Sequence, residues 1–138
     1  MTRLLGILYR SEALTSEGEA AERTLMAKSL RNNLAHGITG ILHRENDIYH
    51  QWLEGPEEKV STIFARIRND DRHKGVRVLS HGHVASRIFQ SWPMVYAGAS
   101  NNSLFDWAAL KGIPLHPSHP ADVLDFLRHC MRQRGSKD

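Results

Sequence analysis

The chain has 138 residues, the size of one domain, and a chain of this length buries roughly two-thirds of its unfolded surface. Its net charge of +3 is too small to argue for nucleic-acid binding, and its single cysteine, Cys130, excludes an internal disulfide and favours a cytosolic setting. No apolar run approaches the ~18–20 residues that a membrane span needs, so no membrane association is expected.

The first elements are a strand and a helix. Residues 3–10 form a nearly continuous apolar run, which predicts a central strand. Ser16 has Glu19 three residues later, the spacing of a capping box, and a helix is predicted from about 19 to 35. Gly37 is well placed to end that helix.

A hairpin follows. Residues 38–44 and 48–54 predict two strands, and the polar residues 45–47 predict the turn between them. Because side chains alternate along a strand, one face of the second strand carries Tyr49, Gln51 and Leu53. The other face carries His50, Trp52 and Glu54.

The remaining elements complete a recognisable order. A helix is predicted over 56–69 and a strand over 76–84, with a polar loop between them. This is an α+β chain with the ferredoxin-like order β-α-β-β-α-β. A fifth strand at about 94–98 and C-terminal helices at about 103–110 and 121–133 follow it. The predicted organisation is a ligand-binding domain over 1–100 and a helical extension over 101–138 that packs on the domain or on a partner.

Four polar residues occupy places that a core normally fills with apolar side chains: Tyr9, Asn32, Asn33 and Gln51. In a ferredoxin-like sheet strands one and three are neighbours, so Tyr9 and Gln51 are expected to lie close together. One interpretation is structural, with Asn33 capping carbonyl groups and Gln51 satisfying the backbone. The other is a planar ligand with a polar edge, bound by these amides in a largely apolar pocket.

Six segments of the chain resemble, in order and spacing, those of the BLUF family, whose members are blue-light sensors that bind a flavin non-covalently. The likeness runs from about residue 3 to 98. The segments are Tyr9-Arg10-Ser11, Arg31-Asn32-Asn33, Gly37-Ile38-Thr39-Gly40, Gln51-Trp52-Leu53-Glu54-Gly55, Arg72-His73 and Trp92-Pro93-Met94.

The resemblance implies roles for particular residues. Tyr9 and Gln51 match a hydrogen-bonded pair beside the C4=O and N5 edge of the flavin. Asn33 and Asn32 match residues that bond the flavin ring, and Arg66 matches an arginine that reaches its C2=O in some members.

Several further residues are assigned to the surroundings of that pair or of the flavin phosphates. Trp92 and Met94 match residues that adjust the environment of the glutamine, and Ser29 matches a serine near the tyrosine. Arg72 and His73, with Lys74, are expected either to contact the flavin phosphates or to belong to a solvated loop. Pro93 replaces a small polar residue between Trp92 and Met94, and this leaves open which of the two lies next to Gln51.

The function implied is a light switch. Electron and proton transfer from Tyr9 through Gln51 would rearrange hydrogen bonds to the flavin, and the signal would pass to an unidentified partner protein. The expected cofactor is FAD, and FMN and riboflavin are the alternatives. A homo-oligomer is expected. Neither enzymatic activity nor a bound metal is expected.

Two alternatives use the same topology. One is a light-insensitive protein-interaction module. The other is an acylphosphatase-like hydrolase, which would need a loop that cradles an anion. The loop Arg10-Ser11-Glu12-Ala13 has a glutamate and no glycine, which argues against the hydrolase.

Overall fold

The computed structural model describes residues 3–89, 95–99, 102–114 and 119–135. No helix in these ranges is both long and apolar enough to cross a membrane. The predicted order of elements is confirmed. In chain order they are β1 (Leu4–Ala13), α1 (Ala20–His36), β2 (Thr39–Glu45), β3 (Ile48–Pro56), α2 (Glu57–Arg68), β4 (His73–Val84), β5 (Val95–Gly98), α3 (Leu104–Lys111) and α4 (Pro120–Gly135).

The strands form one sheet in the order β4-β1-β3-β2-β5. β1 is antiparallel to β3 and β4, β3 is antiparallel to β2, and β5 is parallel to β2. The register places Tyr9 of β1 directly opposite Gln51 of β3. The predicted neighbourhood of strands one and three is therefore confirmed, with these two residues on the same face of the sheet.

One face of the sheet is covered by α1 and α2, and is called here the α1/α2 face. The i, i+3, i+4 apolar positions of α2, which are Val60, Ile63 and Phe64, are buried against it. The sheet residues in this cluster come from alternate positions of the strands, as the pleat requires. They include Leu5, Ile7, Tyr9 and Leu53.

The opposite face is covered by α3 and α4, and is called here the α3/α4 face. Phe126 and Leu127 of α4 are fully buried there against Leu8, Ile41 and Trp52 of the sheet. Cys130 lies in the same core, and burial raises the pKa of its thiol to about 12. This thiol therefore stays protonated and packs as a small apolar group.

Two local predictions are wrong. The Ser16–Glu19 capping box is absent, because α1 begins at Ala20 and the side chain of its N-cap residue Glu19 makes no capping bond. Glu22 replaces it and accepts a hydrogen bond from the Gly18 N–H at 3.0 Å. β4 begins at His73 rather than 76, because its first residues pair with the end of β1.

Candidate cofactor site

The site lies on the α1/α2 face, where α1 does not close down on the sheet. Along the whole of α1, the fully buried residues are two polar ones, Glu22 and Asn33. The apolar Leu25 and Met26 are only half-buried. A helix that directs so little apolar surface into the core leaves space beneath it.

Two adjoining cavities occupy this space. The larger is a cleft of about 320 Å³, within the range of ~300–1,000 Å³ that is usual for small-molecule sites. Its lining combines apolar walls with amides and charged groups: Leu25, Lys28, Ser29, Asn32, Asn33, Gln51, Leu53, Ile63, Arg66, Ile67, Asp70 and Arg72. The smaller, of about 50 Å³, reaches Tyr9, Tyr49 and His73. Gln51 lines both cavities.

Tyr9 and Gln51 form a hydrogen-bonded pair at the junction of the two cavities. The Tyr9 hydroxyl donates to Gln51 Oε1, and the two side chains are only 3% and 4% exposed. Burial raises the pKa of the Tyr9 phenol far above its ordinary value. Tyr9 is therefore a neutral phenol that offers its proton to Gln51, and its ring packs 5.5 Å from that of Phe64.

The amide residues of α1 lie near its C-terminal end. The N–H groups of Gly37 and Ile38 both bond the Asn33 carbonyl oxygen, and Gly37 has a left-handed φ of 67°. This termination, favoured by glycine, fixes the last turn of the helix. The side chains of Asn32 and Asn33 line the cleft there, with Ser29 one turn earlier.

The segment between α2 and β4 contributes a charged pair and a histidine. Arg72 bonds both carboxylate oxygens of Asp70, at 3.0 and 2.8 Å, and these bonds lower the pKa of Asp70. His73 lies 2.6 Å (Nε2) from the Ile67 carbonyl oxygen and 2.7 Å (Nδ1) from Ser11 Oγ. Arg72 thus lines the larger cleft, whereas His73 lies beside Tyr9 in the smaller cavity.

Most of the residues singled out in the sequence therefore surround one pair of cavities. Arg66, on α2, is exposed at the cleft. Trp92 and Met94 lie outside the described residues, so their positions next to Gln51 stay a prediction.

Sequence reasoning missed several residues of the site. Asp70 lines both cavities and neutralises Arg72, although the sequence shows it only within a polar run. Beside the smaller cavity, the buried Arg44 forms an ion pair with Glu22, and Tyr49 donates to the same carboxylate at 2.6 Å. A charged residue inside the predicted strand 38–44, Arg44, was the available signal for this network.

Comparison with known proteins identifies the family. The model of the BLUF family, described as sensors of blue light using FAD, matches residues 4–95. The photoactivated adenylate cyclase subunit beta of Euglena gracilis is 31% identical over 97 residues, which are 70% of this chain and 11% of that protein. The blue light- and temperature-regulated antirepressor BluF of Escherichia coli (strain K12) is 30% identical over 103 residues, 75% of this chain and 24% of that protein.

The fold agrees with this assignment. The solved dark-state structure of BlrB, a BLUF protein, superposes with a TM-score of 0.83 at 26% identity, over 96% of this chain and 98% of that one. Against the curated cyclase subunit, by contrast, the chain spans only about a tenth of the length. The chain belongs to the BLUF family of blue-light sensors that use FAD.

Proposed function

We propose that Tyr9 and Gln51 are the photoactive centre of this blue-light sensor, and that the cleft beside them holds the flavin ring. The observation that carries the proposal is the buried hydrogen bond from the Tyr9 hydroxyl to Gln51 Oε1, at the wall that both cavities share. A buried phenol bonded to a buried amide at a ligand-sized cleft is an arrangement that a purely structural core does not need.

The chemistry of the cleft fits a flavin. A flavin ring is planar, with apolar faces and an edge of carbonyl and N–H groups. Leu25, Leu53 and Ile63 offer apolar surface for the faces. The amides of Asn33 and Gln51 carry both donors and acceptors for the edge.

Cations lie where a phosphate chain would leave the cleft. Lys28 and Arg66 are exposed at the lining, whereas the charge of Arg72 is balanced by Asp70. We therefore assign phosphate contact to Lys28 and Arg66 ahead of Arg72, although for Arg66 the resemblance implies contact with the ring C2=O. FAD is the expected form, and FMN or riboflavin would make the same ring contacts.

The proposed switch follows from the bond between Tyr9 and Gln51. When bound, the flavin supplies absorption of blue light and an excited state that is a strong one-electron oxidant. Loss of an electron makes a phenol strongly acidic, so Tyr9 releases its proton along the bond to Gln51 Oε1. Because the site is buried, a protonated Gln51 amide would be unstable there, so Gln51 would pass the proton on toward the negative charge left by the transferred electron.

Reversal leaves Gln51 altered. When the electron and proton return to Tyr9, Gln51 would be left rotated or in its other tautomer, and the hydrogen bond that it offers to a bound ring carbonyl would change. A stronger bond to that oxygen lowers the energy of the optical transition, which gives a small red shift. Only hydrogen bonds differ, at ~1 kcal/mol each net, so the dark state returns spontaneously.

The output is proposed to be protein-mediated. The named relatives include an adenylate cyclase subunit and an antirepressor, each much longer than this chain. We propose that this chain catalyses no reaction itself and passes its signal to a partner protein, as a homo-oligomer in the cytosol. Residues 1–100 would be the sensor and 101–138 the extension that meets the partner.

The test is an absorption spectrum of the purified, flavin-loaded protein before and after blue light. The expected result is a small red shift of the flavin bands that relaxes in the dark. Gln51→Leu should bind flavin without the shift, whereas Gln133→Leu, the same change on the exposed surface of α4, should keep it. A full shift in Gln51→Leu contradicts the mechanism. A protein that takes up no FAD would support the light-insensitive interaction module.

A further inference from the structure

Glu54 is a fully buried carboxylate on β3, three residues after Gln51. Because side chains alternate along a strand, Glu54 faces the α3/α4 side, opposite to Gln51. Its carboxylate faces away from the Tyr9–Gln51 pair, and the proposed photochemistry does not use it.

Four hydrogen-bond donors converge on this carboxylate. Oε1 accepts from Trp52 Nε1 at 3.1 Å and from the Ile88 N–H at 2.7 Å. Oε2 accepts from Thr39 Oγ1 at 2.9 Å and from the Phe89 N–H at 2.7 Å. An ionised carboxylate accepts all four bonds, whereas a carboxamide would turn its NH₂ group toward two donors in either orientation.

Two of these donors belong to the segment that leaves β4, residues 85–89, called here the connector. Phe89 is fully buried in the core of the α3/α4 face, in the same cluster as Phe126 of α4. Glu54 therefore holds the main chain of the connector at the point where its side chain enters that core.

Arg87 ties the same connector to the cofactor side. Its guanidinium donates to the Gly37 carbonyl oxygen at 2.7 Å and to Thr39 Oγ1 at 2.9 Å. Gly37 ends the helix that carries Asn32 and Asn33. The connector is thus bonded both to the strand of Gln51 and to the end of α1.

We propose that Glu54 is a positioning residue that fixes the connector to β3 and carries a light-induced change at Gln51 to the α3/α4 face. This inference rests on the proposed function. Gln51 and Glu54 are roughly 10 Å apart along a stiff strand, and the bonds from Glu54 reach main-chain N–H groups rather than flexible side-chain ends. A displacement of β3 is therefore passed directly to Ile88 and Phe89.

The test measures hydrogen exchange of the Ile88 and Phe89 amides in the full, flavin-loaded chain, in the dark and under blue light, together with the absorption spectrum. In the wild-type protein we expect light to change both exchange rates. In the dark, Glu54→Gln should raise exchange about tenfold at one of the two amides, the one that faces the carboxamide NH₂ group and so loses its acceptor. It should also abolish the light-dependent change at that amide while the red shift is kept.

The matched control is Glu57→Gln. Glu57 lies just beyond the end of the same strand, but its side chain is 46% exposed and pairs with His83. It should leave exchange at Ile88 and Phe89 unchanged. If Glu54→Gln does not fold, Arg87→Met decides the question, because Arg87 is only half-buried and its loss should reduce the light-dependent change.

The possible results separate this inference from the proposed function. A wild-type red shift without any change at Ile88 and Phe89 overturns the inference and leaves the sensor intact. The inference is also overturned if both the Ile88 and Phe89 amides of Glu54→Gln exchange as slowly as in the wild type. An unchanged light-dependent exchange in Arg87→Met overturns it as well. If the wild-type protein shows no red shift, the proposed function is overturned, and with it the light-driven part of this inference. Hydrogen exchange in the dark, compared between the wild type and Glu54→Gln, still decides whether Glu54 positions the connector.

Discussion

The two faces of the sheet are built from the same strands and yet have opposite interiors. On the α3/α4 face, α4 closes the core with Val123, Phe126 and Leu127, all fully buried. On the α1/α2 face, α1 buries Glu22 and Asn33 and leaves two cavities beneath it. The difference indicates that stability comes mainly from the filled face, while the other is kept open for a ligand.

Neighbouring residues of β3 show the contrast most closely. Gln51 faces the cavities and bonds Tyr9, whereas Trp52 faces the α3/α4 core and bonds Glu54. Both residues are buried, so burial alone does not separate a functional side chain from a structural one. The two side chains differ in their surroundings, because Gln51 lines an unfilled cleft whereas Trp52 is surrounded by packed apolar groups.

The largest effect is expected from Tyr9→Phe, which keeps the aromatic packing of the open face and removes only the hydroxyl. The red shift should disappear completely, because the hydroxyl that donates to Gln51 Oε1 is removed. Spectra of flavin-loaded protein before and after blue light measure this.

The control is Tyr49→Phe, which removes a second hydroxyl at the smaller cavity, one that donates to Glu22. It should cost ~1 kcal/mol of stability and keep the shift. Equal spectra for the two variants would contradict the role given to Tyr9.

On the filled face, Leu127→Ala should lower the free energy of unfolding of the flavin-free protein by ~2–5 kcal/mol, because it opens a void in the buried core. Leu25→Ala, in the half-buried wall of the cleft, should cost only ~1 kcal/mol or less. Urea unfolding of both variants checks the difference. Similar costs would mean that the two faces contribute equally to stability.

A buried histidine of the filled face, His50, should make the stability depend on pH. Burial, with smaller contributions from His43 and Arg10, lowers the pKa of His50 from 6.5 to about 4. Between these values the unfolded chain binds the proton and the folded chain does not, so stability is lost as the pH falls through this window. The loss from His50 is about 3 kcal/mol, and unfolding by urea at pH 7, 5 and 4 measures it.

His50→Leu should flatten this part of the curve. The matched control is His81→Leu, the same substitution at an exposed position of β4. An unchanged acid slope in His50→Leu would show that other groups cause the loss.

The smallest effect concerns the rim of the open face. Arg66→Gln should weaken FAD binding by ~0.5–1 kcal/mol, with less effect at high salt, because an exposed cation–phosphate pair is screened. Lys59→Gln removes a charge from the same helix outside the cleft and should leave affinity unchanged. Titration of flavin-free protein with FAD at two salt concentrations compares them.

Local patterns were sufficient to predict much of this architecture. Alternation along β3 predicted its two faces, and the order of elements predicted that Tyr9 lies next to Gln51, which the register confirms. The apolar stripe of α2 likewise predicted its buried residues. These features follow from the periodicity of side chains within each element and from the order of the elements along the chain.

The polar networks could not be predicted in this way. Glu54 receives its donors from residues 39, 52, 88 and 89, which only the folded sheet brings together. Glu22 bonds Gly18 and Arg44, and this explains why the Ser16–Glu19 capping pattern, although locally plausible, is not used. Partners distant in sequence decided the outcome in both cases.

The edge strand β4 is poorly suited to pairing with a strand of another molecule. β4 is a twelve-residue strand at the sheet edge, and its pairing with β1 is interrupted by irregularities in register. It also carries the exposed cations Lys74 and Arg77. Long flat edges promote aggregation by adding strands from other molecules, and irregularities and lysines on an edge oppose this. Any oligomer of this sensor is therefore not expected to form by adding a strand to the β4 edge of the sheet.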